Sequence, residues 1–141
     1  MAQFGNSTKT FRKSSAKFYN GMIATFVGIT SQTYLGNDYP ALSFKPENGE
    51  EISVTLNDLK REYVHKRLNG EPVTCKRGGT LVDDFWAFFE ANKDAKGEMS
   101  FTKFDTFSEQ HANKQVVFVL DFEYQNDNGH KREWLKYDWK V

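Results

Sequence analysis

Few residues of this chain have the types and spacing that catalysis or metal binding requires. The three histidines, His65, His111 and His130, form no H-x-x-x-H pair, and the single cysteine, Cys75, has no histidine near it in the sequence. Zinc sites use such ligands at close and regular spacing, and a nucleophile needs a base beside it. A Ser/His/Asp or Cys/His set could be assembled here only from unlinked residues. The sequence therefore predicts no enzyme, no metal and no cofactor.

A glycine pair and a carboxylate pair have ordinary structural explanations. Residues 76–80 (Lys-Arg-Gly-Gly-Thr) lack the G-x-x-x-x-G-K-[ST] spacing of a phosphate-binding loop, which favours a flexible loop. Asp121 and Glu123 could hold a hard cation from one strand face, but the hairpin pairing described below places Trp134 and Arg132 opposite them. Because opposite charges across paired strands attract, we expect an ion pair there.

Three groups of cations are candidates for partner binding. In the first and third groups the cations alternate with aromatic rings, which is typical of proteins that bind single-stranded nucleic acid in a positive, ring-lined groove. The middle group is expected to form one basic patch. The candidate residues are Lys9, Phe11, Arg12, Lys13 and Lys17; Lys60, Arg61, Lys66, Arg67, Lys76 and Arg77; and Arg132, Trp134 and Lys136.

The net charge limits how these cations can act. Nineteen Lys and Arg residues balance nineteen Asp and Glu residues, which argues against a wholly cationic nucleic-acid coat. The charges are segregated, because residues 82–109 are mainly acidic and no acidic residue precedes Asp38. Such segregation is typical of a solvated surface or of a surface complementary to a partner.

Length and composition predict one domain with a large aromatic core. The chain has 141 residues, including 13 phenylalanines, 6 tyrosines and 3 tryptophans. A single cysteine excludes an internal disulfide. We expect no signal peptide, because the first residues lack its apolar core, and no run approaches the ~18–20 apolar residues of a membrane span. These features predict a location in the cytoplasm or in a virion.

The pattern divides the chain into an arm and a domain. Residues 1–20 have no sustained period and are interpreted as an extended basic arm. Residues 21–141 contain every strong periodic segment, so we expect them to fold without the arm. The first half of the domain is predicted to contain three strands, at residues 22–30, 41–45 and 52–56.

A first helix is expected after the third strand. It would begin at a cap on Asn57 or Asp58 and end at Asn69-Gly70, with Lys60, Arg61, Lys66 and Arg67 on its solvent flank, next to Lys76 and Arg77 of the following loop. Its apolar side would hold Leu59, Tyr63, Val64 and Leu68. A flexible basic loop is expected at residues 69–80.

A second helix is predicted at residues 81–92. Thr80 and Asp83 resemble a capping box at its start, and Trp86 lies off its apolar stripe, which suggests exposure. Residues 98–112 fit neither helical nor strand periodicity cleanly and are left open between the two. The stripe that is expected to pack against the sheet is Leu81, Phe85, Phe88 and Phe89.

A long hairpin is predicted at the C-terminal end. Residues 115–125 alternate apolar and polar side chains, residues 126–129 form the turn, and residues 130–140 return. The pairing sends Trp134 to the face opposite Leu135, Tyr137 and Trp139. There it would lie with Arg132, Lys136, Asp121 and Glu123. Exposed tryptophan among charged residues is typical of interface anchors; the alternative is a second small core covered by the arm or by residues 98–112.

These elements predict an α+β fold that is mainly antiparallel β. The order β-β-β-α-α-β-β suits a small curved sheet or partly open barrel, preceded by an extended N-terminal arm. Helices between the third and fourth strands make this order similar to that of an OB-fold. The resemblance covers roughly residues 21–139 at the level of element order and carries no sequence motif.

The sequence favours a non-enzymatic structural or assembly protein of a large particle, of the phage capsid- or tail-associated type. In this interpretation the N-terminal arm and a sheet face contact other subunits of an oligomer. The alternative is a single-stranded nucleic-acid-binding protein with an OB-like sheet. Other binding or regulatory modules form a third class.

Overall fold

Alternating and β-branched segments of this chain form seven strands, and three segments form helices, in a computed structural model that describes residues 18–141. The predicted arm residues 1–17 lie outside the described residues. The strands are β1 (Ile23–Tyr34), β2 (Asn37–Pro46), β3 (Ile52–Thr55), β4 (Tyr63–Lys66), β5 (Pro72–Cys75), β6 (Gln115–Gln125) and β7 (Lys131–Trp139). The helices are α1 (Leu56–Lys60), α2 (Thr80–Asn92) and α3 (Phe101–Gln110).

All strand pairs in the curled, open sheet are antiparallel. Strand β1 pairs with β2 and with the start of β6, β2 pairs with β3, and β7 lies along the other side of β6. With the β4–β5 hairpin set aside, the neighbour order is β3-β2-β1-β6-β7, and α2 and α3 lie in the connection between β5 and β6. The predicted fold class, a mainly antiparallel, partly open curved sheet with helices, is confirmed. The predicted order β-β-β-α-α-β-β lacked the β4–β5 hairpin and one helix.

The main core lies on one face of this sheet and is unusually aromatic. Phe26, Phe44, Phe118 and Tyr137 come from four different strands and are almost fully buried together. Phe44 lies with its ring centroid 5.2 Å from Phe118 and 5.7 Å from Tyr137, both in edge-to-face geometry. Aromatic pairs prefer this arrangement because the positive ring edge meets the negative ring face.

Helices α2 and α3 cover the main core. As predicted, Leu81 and Phe85 are fully buried and Phe88 and Phe89 pack against the core, but the prediction that Trp86 is exposed was wrong, since it packs there too. Residues 98–112, for which the sequence did not decide between helix and strand, contain the helix α3, which buries Phe104 and Phe107. Its N-cap is Ser100, whose side chain accepts a hydrogen bond from the Lys103 N–H.

The predicted helix after the third strand is wrong in extent. Helix α1 ends at Lys60, and the chain then forms the β4–β5 hairpin, in which Tyr63 pairs with Cys75 and Lys66 pairs with Pro72. Asn69-Gly70 forms the loop of this hairpin, with Gly70 at φ +90°, and does not end a helix. The predicted flexible loop at residues 69–80 therefore contains a strand.

Residues 78 and 79 lie against the outer edge of β7. The Gly78 carbonyl accepts a hydrogen bond from the Tyr137 N–H at 2.9 Å. Gly79 has φ +114°, and a Cβ there would lie 2.1 Å from the Tyr137 carbonyl oxygen. Only glycine permits this approach, so Gly79 has a packing role that the interpretation as a flexible loop did not include, whereas a Cβ at Gly78 would meet nothing within 4 Å.

The start of α2 is capped from β7. No capping box forms between Thr80 and Asp83; the N-cap is Gly79, which has no side chain to donate or accept. Instead, the Thr80 N–H donates to the Asp138 carboxylate at 2.9 Å, and the Thr80 hydroxyl accepts from the Trp139 N–H at 2.8 Å. The Asp138 carboxylate, on a strand distant in the sequence, thus accepts a hydrogen bond from a free N–H group of the helix and places a negative charge at its positive end.

We expect Asp138→Ala to lower the free energy of unfolding by about 0.5–2 kcal/mol, the usual cost of removing a cap. Asp83→Ala, which changes an exposed carboxylate in the same helical turn, is the matched control and should cost less. Urea denaturation of both variants measures the difference. A larger loss in Asp83→Ala would contradict capping by β7.

The main core extends to the N-terminal side of the predicted domain boundary. Phe18 packs against Phe118 and Tyr137, at centroid distances of 4.7 and 5.6 Å. The Asn20 side chain accepts a hydrogen bond from the Leu120 N–H at 3.0 Å. Folding without residues 1–20 stays a prediction, and comparing the removal of residues 1–20 with the removal of residues 1–17 measures what Phe18 and Asn20 contribute. No helix among residues 18–141 is long and apolar enough to cross a membrane.

Candidate nucleic-acid interface

A β-bulge in β6 divides the C-terminal hairpin into two differently oriented halves. Leu120 pairs with Leu135, but the next pair is Phe122 with Trp134, so Asp121 is the extra residue. Cross-strand partners share a face, and Trp134 points away from the face of Leu135 because they are consecutive strand residues. The aromatic residues beyond the bulge therefore lie on the opposite face from the main core.

Because of the bulge, two of the predicted cross-strand pairs are wrong. Asp121 does not lie opposite Trp134, and Glu123 pairs with Glu133 instead of Arg132. Glu123 still forms an ion pair, because the Lys131 ammonium lies 2.9 Å from its carboxylate. Among residues 18–141, no group of three histidine, cysteine or acidic side chains is placed to hold a metal ion.

The β4–β5 hairpin covers this opposite face and forms a second core. Trp134 is 7% exposed, against the prediction of a surface tryptophan, and is buried together with Val73 and Cys75. Its indole N–H donates to the Lys76 carbonyl at 3.1 Å. The alternative prediction, a second small core, is thus correct. Among the described residues, the β4–β5 hairpin covers this core, and residues 98–112 do not.

Half-buried rings surround Trp134, and we call Tyr63, His65, Phe122, Tyr124 and Trp134 the distal aromatic cluster. His65 is stacked between Tyr63 and Tyr124, with centroids 6.0 and 4.8 Å away. Phe122 is stacked on Trp134 at 6.4 Å, and Tyr124 meets Trp134 edge-on at 6.0 Å. The partial exposure of the outer rings leaves ring surface at the end of the sheet.

Three guanidinium groups lie over rings of the cluster. Arg61 is 5.8 Å from the centroid of Tyr63 and Arg67 is 5.9 Å from that of Phe122, and both arginines are exposed. Arg77 lies 4.1 Å from Trp134 and also contacts Tyr137 and the Leu135 carbonyl. Arg77 therefore fastens the segment before α2 to the edge of β7, whereas Arg61 and Arg67 are exposed and form no ion pair with another described residue.

The remaining candidate cations are distributed around this end of the sheet. Arg132 pairs with Tyr124 on the cluster face, and Lys136 is half-buried opposite Val119. Lys60 is exposed at the end of α1, and Lys66 and Lys76 lie on the other side of the hairpin, where Lys76 is 3.8 Å from Glu62. The arm candidates Lys9, Phe11, Arg12, Lys13 and Lys17 lie outside the described residues.

Burial raises the pKa values of two groups of the second core, which are therefore still further from ionising at neutral pH than an exposed thiol or phenol. It raises the pKa of the Cys75 thiol, and the nearby positive charges of Arg77 and Arg67 offset only part of this increase. It also raises the pKa of the Tyr124 hydroxyl. A protonated, buried thiol is a poor nucleophile, so Cys75 acts here as a small apolar residue.

Sequence reasoning missed four members of the cluster: Tyr63, His65, Phe122 and Tyr124. The signal for the first two was present, since Asn69-Gly70 between two short β-branched segments is a strong hairpin pattern. It was instead interpreted as the end of a helix. For Phe122 and Tyr124 the alternation itself was misleading, because the bulge at Asp121 shifts them to the other face.

Comparisons with protein-family models, curated proteins and solved structures give no match for this chain.

Proposed function

We propose that this protein is a non-enzymatic binding protein for single-stranded nucleic acid, with its contact surface at the distal aromatic cluster. One observation carries the proposal. Cations and rings from separate parts of the chain, residues 61–67 and 122–134, meet at one end of an OB-like sheet. OB-folds bind oligonucleotides on a sheet face and at the adjoining loops.

The cluster has both kinds of contact that single strands require. Half-buried rings such as Tyr63 and Tyr124 can receive a base on their open surface, which contributes about 1–3 kcal/mol per stacked base. Arg61, Arg67 and Arg132 are exposed beside them and can neutralise phosphates. Affinity then depends strongly on salt, because each phosphate contact releases counterions.

The neutral net charge is compatible with this proposal because the charges are separated in space. Residues 60–77 contain six cations and two carboxylates, Glu62 and Glu71, and residues 121–134 contain two cations and four carboxylates, so the two segments that form the cluster together carry a small excess of positive charge. The acidic residues of 82–109 lie mainly on α2, α3 and their connection, which cover the main core instead. A local positive charge can attract a polyanion over about one Debye length, which is ~8–10 Å at 0.1–0.15 M salt.

We expect the double variant Arg61→Ala/Arg67→Ala to bind an unstructured oligonucleotide at least tenfold less tightly near ~0.1 M salt. Removing two phosphate contacts should also reduce the slope of log K against log salt by about 1.4, at ~0.7 per contact. Fluorescence anisotropy over a salt series measures both quantities.

The matched control is Lys96→Ala/Lys103→Ala, which removes two exposed cations from the acidic region and should leave affinity and slope unchanged. Equal affinity and slope in the arginine variant and the original chain would contradict the cluster as the site. Absence of measurable binding by the original chain at low salt would contradict nucleic-acid binding itself.

Assembly into a larger particle is the second candidate function, favoured by the tip of the β1–β2 hairpin. Leu35 is 81% exposed there and has φ +52°, a conformation that few leucines adopt. Together with the neighbouring Tyr34, which is 46% exposed, it forms apolar surface at the end of a long hairpin, which is suited to contact with another subunit. The basic N-terminal arm, retained from the sequence as a proposal, would add a second contact.

A further inference from the structure

A cleft beside the start of β1 combines open apolar surface with an acidic rim. It measures about 520 Å³ and lies between residues 19–23 and the β2–β3 turn at residues 46–52. Tyr19 and Ile23, which line it, are among the exposed large apolar residues, Tyr19 at 62%. Apolar side chains grouped in a concave wall mark a contact site more strongly than the same residues scattered singly.

The rim of the cleft is negative. Glu47 and Glu50 are exposed there, and no ion pair joins either of them to another described residue. None of the described residues that line the cleft is cationic. The nearby Lys45 turns its ammonium to the carbonyl groups of Pro46 and Gly49. The cleft thus fits an extended segment with an aromatic residue between cations.

Such a segment occurs in this chain at residues 9–13, Lys-Thr-Phe-Arg-Lys. In an extended conformation Lys9, Phe11 and Lys13 would share one face, because side chains alternate along a strand. We infer that the cleft binds residues 9–13 of a second copy of this chain, an inference that rests on the second candidate function, assembly. Phe11 contacts Tyr19 and Ile23, and the cations face Glu47 and Glu50.

Chain direction favours a second copy over the same copy. Phe18 is held in the main core and Tyr19 already lines the cleft. For its own Phe11 to reach Tyr19, the chain would have to reverse within residues 14–17, Ser-Ser-Ala-Lys, where serine is the only residue type that turns favour. A neighbouring copy needs no such turn. Because every copy has both the segment and the cleft, the contact is head-to-tail and can repeat.

A charge-swap experiment tests this contact in the full chain. One variant carries Glu47→Lys/Glu50→Lys and the other carries Lys9→Glu/Arg12→Glu/Lys13→Glu. Sedimentation velocity over a concentration series measures self-association of each variant and of their equimolar mixture. The matched control, Glu71→Lys/Glu133→Lys, makes the same charge change at exposed positions away from the cleft.

We expect each variant alone to associate roughly tenfold more weakly, since several exposed charge pairs become repulsive, while the control is unchanged. Mixing the two variants should restore association, because the reversed segment then meets the reversed cleft. If the original chain associates but neither variant weakens it, the cleft is not the site, although assembly stands. If the original chain is monomeric at every concentration, both fail. If each variant lowers the melting temperature with no change in mass, the occupant is the chain's own segment and the second copy is excluded.

Discussion

Replacing Phe44 with alanine is expected to lower the free energy of unfolding by about 3–5 kcal/mol. The ring is fully buried in the main core, in β2, and contacts four other rings, those of Phe18, Phe26, Phe118 and Tyr137. Alanine would remove this apolar area and leave a cavity that neighbouring rings cannot fill without leaving their favoured geometry. Since small domains are stable by only ~5–15 kcal/mol, urea denaturation should show a large shift of the midpoint.

Val64→Thr is the control for Phe44→Ala. Val64 is 69% exposed on β4, and threonine retains the branched Cβ that suits a strand. Such a surface change should stay within about 0.5 kcal/mol. Equal stability of Phe44→Ala and the original chain would show that the aromatic residues of the four strands do not form one core.

Trp134→Ala should also cost about 3–5 kcal/mol, the range for a buried tryptophan. The indole fills the second core, lies beneath the Arg77 guanidinium and donates a hydrogen bond to the Lys76 carbonyl. Its removal would loosen both the β4–β5 hairpin and the segment that leads into α2. Thermal and urea denaturation, followed by circular dichroism, measure the loss.

Trp134→Phe separates packing from hydrogen bonding at this position. Phenylalanine keeps most of the buried ring but leaves the Lys76 carbonyl without its donor, so we expect a loss of about 1–3 kcal/mol. A Trp134→Ala protein with unchanged stability and reduced ligand binding would contradict burial and favour the exposed contact that the sequence suggested.

The structure adds an observation to the nucleic-acid proposal. The nucleic-acid interpretation depended on cations and rings that were scattered in the sequence. Arg61, Arg67 and Trp134 come to one end of the sheet. The two functions remain testable separately, because their sites use different residues.

The sequence by itself determined the elements that have strong local patterns. Continuous β-branched residues defined β1, the spacing of Leu81 and Phe85 defined α2, and the turn at residues 126–129 defined the C-terminal hairpin. In each of these segments, local periodicity and turn chemistry favour the same conformation that tertiary packing requires. The fold class could therefore be predicted from these elements alone.

Tertiary structure decided the features that depend on contacts between distant residues. Tyr63, Val64 and Leu68 suit one side of a helix, yet residues 63–66 form a strand because pairing with residues 72–75 packs Tyr63 beside Trp134. Helix α2 takes its cap from Asp138, which lies far away in the chain. Local propensity differs by less than ~1 kcal/mol between such alternatives, so packing overrides it.

The bulge at Asp121 had the largest consequence for the candidate site. A strand with one extra residue shifts every following side chain to the other face, and no local pattern around Asp121 marks that position. Packing in the second core stabilises the shifted register, because Phe122 and Tyr124 then contact Trp134 under the β4–β5 hairpin. The aromatic surface proposed to bind nucleic acid exists only because burial across the sheet selects this register.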